Sequence, residues 1–167
     1  MNPELHCIAY VSSARRELSS SQLELLLRKV RLYNSTHAIT GLLLYSGGNF
    51  LQLLEGPTHA VMQAYDRIRL SPLHGDLIEL ESQAAASRQF SGWSMAHVNV
   101  DWEQLMRIQA AFQPDLAKGT GTRMLKEYWS LNRRSQHLRR PRAAPSPVTL
   151  HIAPPSWLSA SIALTPH

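Results

Sequence analysis

A single cysteine, Cys7, stands in a chain of 167 residues. A disulfide framework within the chain is excluded, which fits a reducing compartment, so a cytoplasmic protein is expected. Cys7 itself reads as a small core residue. No apolar run approaches the roughly 20 residues that a membrane-spanning helix needs, so no membrane partner is expected. Met1-Asn2-Pro3-Glu4 lacks the basic start and apolar core of a signal peptide. Enzyme signatures are missing too: there is no G-x-G-x-x-G, P-loop, G-x-S-x-G or H-E-x-x-H. The eight histidines show no metal-ligand spacing, so no metal site is expected, and the acidic residues do not pair for general acid–base work. The expectation is a protein that is not an enzyme. Internal repeats are absent.

What is present is an ordinary apolar content of 44% in a length that suggests one folded domain able to bury a core. The net charge of +5 is unevenly placed. Residues 1–100 hold eight Lys/Arg and eight Asp/Glu, whereas residues 101–167 hold nine and four. The basic excess thus belongs to the C-terminal third, with Arg133-Arg134, Arg139-Arg140 and Arg142 as its cluster. That cluster reads as a solvated tail, since nucleic-acid binding needs the patch on a stable surface.

The chain is organised around residues 34–56. Ile39–Tyr45 and Phe50–Leu54 are apolar runs of strand length, and Ser46-Gly47-Gly48-Asn49 between them are turn formers, which predicts a β-hairpin. Continuous apolarity predicts that both faces are covered. Gln52 breaks the second run. A buried amide without partners costs roughly 1–3 kcal/mol, so Gln52 is either a half-exposed edge position or a polar group set to meet a ligand.

Around the hairpin, His6–Val11 reads as a first strand, with Ile8 and Tyr10 on one face and Cys7, Ala9 and Val11 on the other. Leu23, Leu26, Leu27, Val30 and Tyr33 follow at helical spacing after the capping serines 19–21, predicting a helix from about Ser20 to about Asn34. Asn34 then reads as a C-terminal cap. Pro57 suits a helix start, and Val61, Met62, Tyr65 and Ile68 form the stripe of a second helix ending near Ser71-Pro72. Leu77–Ser82 and Trp93–Val100 read as further strands. The order β-α-β-β-α-β-β predicts an α+β, ferredoxin-like sandwich with one added strand. Two C-terminal helices, Trp102–Phe112 and Thr122–Leu138, are expected to cover the open sheet face. The division expected is a domain over 1–100, a helical cap over 101–140, and a Pro-rich tail over 141–167, extended or disordered.

Asn34-x4-Ile39-Thr40-Gly41-x-Leu43-Leu44-Tyr45 followed by Phe50-Leu51-Gln52-x-Leu54-Glu55-Gly56 resembles the BLUF family of blue-light sensors that use flavin. Tyr10-x-Ser12 on the first strand, Arg67 and His74 at and after the second helix, and Trp93-Ser94-Met95 also match, so the resemblance covers about residues 5–100. It implies FAD, or FMN, bound between the two helices by Tyr10, Asn34, Gln52, Arg67 and His74. Tyr10, Gln52, Trp93 and Met95 would be the photoactive set. Tyr10 would supply an electron, Gln52 would relay the proton and then rotate or tautomerise, and Trp93-Ser94-Met95 would pass the change to the last strand and C-terminal helices. The implied partners are a second copy of the chain and a separate protein effector. Ser71-Pro72-Leu73 departs from the pattern, which usually has an aspartate and an arginine there. Tyr33, where the family varies, places a ring at one edge of the pocket. The competing readings are a flavin-free ferredoxin-like regulatory module and a nucleic-acid-binding module using the basic tail.

Overall fold

The computed structural model describes residues 4–113, 119, 121–126 and 130. In order the elements are β1 (Leu5–Ala14), α1 (Ser20–Thr36), β2 (Thr40–Ser46), β3 (Asn49–Pro57), α2 (Thr58–Leu70), β4 (His74–Ala85), β5 (Ala96–Asn99) and α3 (Trp102–Ala110). Residues 121–126 are also helical. Apart from Ser130, the rest of the second expected C-terminal helix, with Tyr128, Trp129 and Leu131, and the Pro-rich stretch 141–167 lie outside the described residues. No helix among the described residues is long and apolar enough to cross a membrane.

The sheet order is β4-β1-β3-β2-β5. β1 pairs antiparallel with β3 and β4, β2 antiparallel with β3, and β5 parallel with β2. This is the expected ferredoxin-like α+β arrangement with one added strand. The hairpin turn is made by Gly47 and Gly48, both at positive φ (47° and 82°), as a two-residue turn between twisted strands requires. Ser19 caps α1 in a reciprocal box with Gln22: Ser19 Oγ accepts from Gln22 N, and Gln22 Oε1 accepts from Ser19 N at 2.9 Å.

β3 lies in the centre of the sheet, and alternation along it builds two cores. Phe50 and Leu54 face α1 and α2 with Ile8, Tyr10, Leu43, Leu27 and Val61. Leu51 and Leu53 face the other way with Cys7, Ala9, Leu42 and Leu44, where Leu105 and Ile108 of α3 and Leu125 cover them. Both faces of the hairpin are therefore buried, which is why its strands lack polar alternation.

Four expectations are corrected. α1 runs to Thr36 and its C-cap is His37, so Asn34 is a buried interior position and not the cap. Met62 is 41% exposed; the buried stripe of α2 is Ala60, Val61, Ala64 and Tyr65, in which the two small alanines let the helix approach the sheet. β4 extends to both sides of Leu77–Ser82 because its pairing with β1 reaches from Leu5 to Ala14. β5 starts only at Ala96: Trp93 N instead closes a turn onto Phe90 O (2.9 Å), and the Trp93 carbonyl accepts from Gly41 N (3.1 Å). Gly41 is required there, since a Cβ would come within 2.0 Å of the Leu53 carbonyl oxygen.

Candidate functional site

α1 and α2 lie on one face of the sheet and leave a cavity of about 160 Å³ between them, over β2 and β3. Leucine 26, Val30, Leu43, Leu54 and Ile68 make its walls apolar. Into this apolar slot project the amides of Asn34 and Gln52, the cations Lys29 and Arg67, and the imidazole of His74. Such a slot suits a flat, largely apolar ligand with a few polar edges.

Gln52 is 6% exposed and sits at the middle of the central strand, which removes the edge reading. Its two ends meet different groups. The Tyr10 hydroxyl, across the β1–β3 pair, donates to Oε1. Nε2 donates to Met95 Sδ at 3.6 Å, a weak acceptor. Tyr10 has no exposed surface, stands beside Gln52 as its cross-strand partner and packs its ring 5.6 Å from that of Tyr65. Burial pushes the phenol's pKa well above its ordinary value, so it stays protonated.

Asn34 donates from Nδ2 to the Ser94 carbonyl (2.7 Å), and Arg31 Nε donates to the Met95 carbonyl (2.9 Å), so α1 holds the strand leading into β5. His74 Nδ1 lies 2.8 Å from Ser12 Oγ, and its ring meets Phe50 edge-on at 5.1 Å. Burial lowers its pKa to about 4, so the imidazole is neutral at ordinary pH. Arg67 stands over the ring of Tyr33, with Cζ 4.4 Å from the centroid, and His37 stacks on Tyr33 at 4.0 Å. The Tyr33 hydroxyl is buried and has no hydrogen-bond partner among the described residues. An orphaned polar atom on a cavity-lining residue fits a ligand that brings a polar atom of its own.

The structure thus joins Tyr10, Gln52 and Met95 in one hydrogen-bonded row and brings Asn34, Arg67 and His74 to the cavity. Trp93 stands apart, 40% exposed, away from the cavity walls. Sequence reasoning missed Lys29, whose signal was its spacing of three and four residues from Leu26 and Tyr33, and Arg31, which gave none. Outside this site, Cys7 is inert: burial, with Glu81 and Glu55 nearby, pushes its thiol up to about 12.

The residues that fit a flavin are therefore assembled: an apolar slot, buried amides beside it and cations on its rim. Comparison with known proteins agrees. Residues 5–96 match the BLUF family, described as sensors of blue-light using FAD. Photoactivated adenylate cyclase subunit beta of Euglena gracilis is 36% identical over 92 residues, 54% of this chain and 11% of that protein. The blue light- and temperature-regulated antirepressor BluF of Escherichia coli (strain K12) is 33% identical over 86 residues, 52% of this chain and 21% of that protein. The chain thus spans only about a tenth to a fifth of these curated relatives. The dark-state structure of BlrB, a BLUF protein, superposes with a TM-score of 0.62 at 26% identity, covering 79% of this chain and 99% of that one. The flavin-free and nucleic-acid-binding alternatives draw no support from these likenesses. The match spans more than half of the chain and includes the cavity and every residue of the Tyr10–Gln52–Met95 row: the chain belongs to the BLUF family of blue-light sensors that use flavin.

Proposed function

We propose that this chain senses blue light through the Tyr10–Gln52–Met95 row, with flavin held in the cavity by Gln52, Asn34, Arg67 and His74. Flavin, when bound, supplies the absorption of blue light and, once excited, a strong oxidant. Tyr10 would be the donor: its electron would pass to the excited flavin and its hydroxyl proton along the existing hydrogen bond to Gln52 Oε1, while Gln52 relays a proton onward from Nε2 and so stays uncharged. The observation that carries this reading is the polarity of the row. Met95 Sδ only accepts, so it favours the Gln52 NH₂ facing it, while the Tyr10 hydroxyl favours Oε1. Turning the amide end for end sets Oε1 against Sδ, two acceptors face to face, and Met95 is driven from its place. On return of the electron and proton to Tyr10, the turned amide presents a different hydrogen bond to the flavin.

The cations Lys29 and Arg67 give the cavity a positive rim suited to phosphate groups, beside which His74 stands as a neutral polar group. The output is read as altered contacts with a second copy of the chain or a separate protein in the cytoplasm, not as catalysis. The cyclase activity in the name of one relative belongs to a protein of which this chain matches about a tenth.

The test is a light-minus-dark absorbance spectrum of the flavin-loaded chain beside Gln52→Leu. A small reversible red shift is expected in the parent and none in the variant. A variant that shifts like the parent would remove Gln52 from the mechanism.

A further inference from the structure

Two polar side chains are buried on β3 three residues apart, and they point through opposite faces of the sheet. Gln52 faces the cavity. Glu55, 1% exposed, faces the second core. Burying a carboxylate costs several kcal/mol unless hydrogen bonds compensate. Glu55 has them: Oε2 accepts from Gln89 N at 2.8 Å, and Oε1 from Phe90 N at 2.5 Å and Thr40 Oγ1 at 3.1 Å.

The two backbone donors are consecutive, and the residue before them is fastened to the same place. Arg88 Nη1 donates to the Glu55 carbonyl (3.0 Å) and to Thr40 Oγ1 (2.9 Å), while Nη2 donates to the Ala38 carbonyl (2.5 Å). Residues 88–90 are thus clamped to the start of β2 and the end of β3. Phe90 enters the second core with Leu105 and Ile108 of α3. Five residues on, Met95 enters the cavity-side core and meets Gln52. One short segment therefore has a side chain in each core, and β3 grips it at both ends.

We propose that Glu55 is a positioning residue of the light response: its carboxylate fixes Phe90, so that a displacement of Met95 is carried to α3 and not absorbed as slack in residues 88–94. The proposal rests on the light reaction above and adds to it a residue and the face that receives the output. A carboxylate suits the task because both oxygens accept. In Glu55→Gln, one of the two N–H groups faces an NH₂ and loses its bond at almost unchanged volume.

The experiment uses the full chain loaded with FAD, parent and Glu55→Gln, with two readouts on each sample. One is the light-minus-dark absorbance change; the other is the light-minus-dark deuterium uptake of the peptide covering residues 102–110. The variant is expected to keep its absorbance shift within about twofold, while the light-induced uptake change over 102–110 falls by about threefold or more. A role confined to stability would raise uptake in the dark and leave the light-induced difference in place, and that result overturns the proposal. So does a parent that shifts its absorbance without any light response at 102–110. A parent with no absorbance shift overturns the light reaction itself, which separates the two failures. Should Glu55→Gln not fold, Arg88→Met takes its place: the thioether keeps the apolar stem but donates to neither the Ala38 nor the Glu55 carbonyl. The same loss of response is expected there, and a parental response overturns the proposal.

Discussion

On the cavity face of β3, the buried polar group is an amide whose partners are a phenol hydroxyl and a thioether; on the other face it is a carboxylate whose partners are mostly backbone N–H groups. The first set admits another arrangement, because a hydroxyl donates or accepts and an amide has two unlike ends. The second does not, because a backbone N–H only donates. The comparison teaches how one strand serves a moving part and a fixed one: the difference lies in the partners, and burial is nearly equal.

The strongest way to break this comparison is to remove each polar group. Glu55→Ala leaves two buried backbone N–H groups without their acceptor, and is expected to lower unfolding free energy by about 3–4 kcal/mol. Gln52→Leu keeps the volume and strands no backbone group but leaves the buried Tyr10 hydroxyl without its acceptor, so a smaller loss of about 1–2 kcal/mol is expected. Urea unfolding of both variants checks this; equal losses would mean that Gln52 is as fixed as Glu55.

Neighbours on β2 sharpen the contrast between the faces themselves. Leu44 lies in the closed core and Leu43 lines the cavity. Leu44→Ala is expected to cost about 3 kcal/mol, as in other filled cores, and Leu43→Ala about half of that, since it enlarges a space that already exists. Flavin affinity should respond in the reverse order, measured by fluorescence titration.

Charge separates the faces next. The pKa of His74 falls from 6.5 unfolded to about 4 folded, so the unfolded chain binds more protons between these values. Stability should therefore hold above pH 6.5 and fall as the pH drops toward 4, by about 3 kcal/mol from this group. His74→Phe should flatten that part of the melting-temperature profile relative to the parent.

Tyr10→Phe has the smallest expected effect on stability, about 1 kcal/mol for one buried hydrogen bond. Its effect on the light reaction should be near total, because phenylalanine is hard to oxidise and carries no proton to relay. Flavin fluorescence lifetime should lengthen in the same sample. A variant that still formed the red-shifted state efficiently would acquit Tyr10 and direct attention to Trp93.

The hairpin, the two faces of β1 and the misfit at Gln52 were legible because each is a local pattern: turn formers between apolar runs, alternation, one polar residue in an apolar row. Glu55 was not. An acidic residue before Gly56-Pro57 looks like a solvated strand end, and the backbone donors that satisfy it come from residues more than thirty positions away. The start of β5 was misjudged for a related reason, since the Ser94 and Met95 carbonyls are taken by the α1 side chains Asn34 and Arg31, and only Trp93 reaches β2, at Gly41 N. Met62 misled because an apolar residue at helical spacing was given weight over the small Ala60 and Ala64.

Tyr10 touches no water, and its hydroxyl hydrogen bond ends on Gln52. A proton displaced from it has no described path to bulk solvent and must return by the way it left. On the proposed light reaction, the photocycle is then a closed proton loop. Illumination should neither acidify nor alkalinise the medium, and a pH-indicator dye in weakly buffered solution should stay silent while the flavin absorbance changes and recovers. Exchange of that proton for deuterium should lag behind exchange at the surface, so a chain moved freshly into heavy water keeps its light-water kinetics until the core has opened.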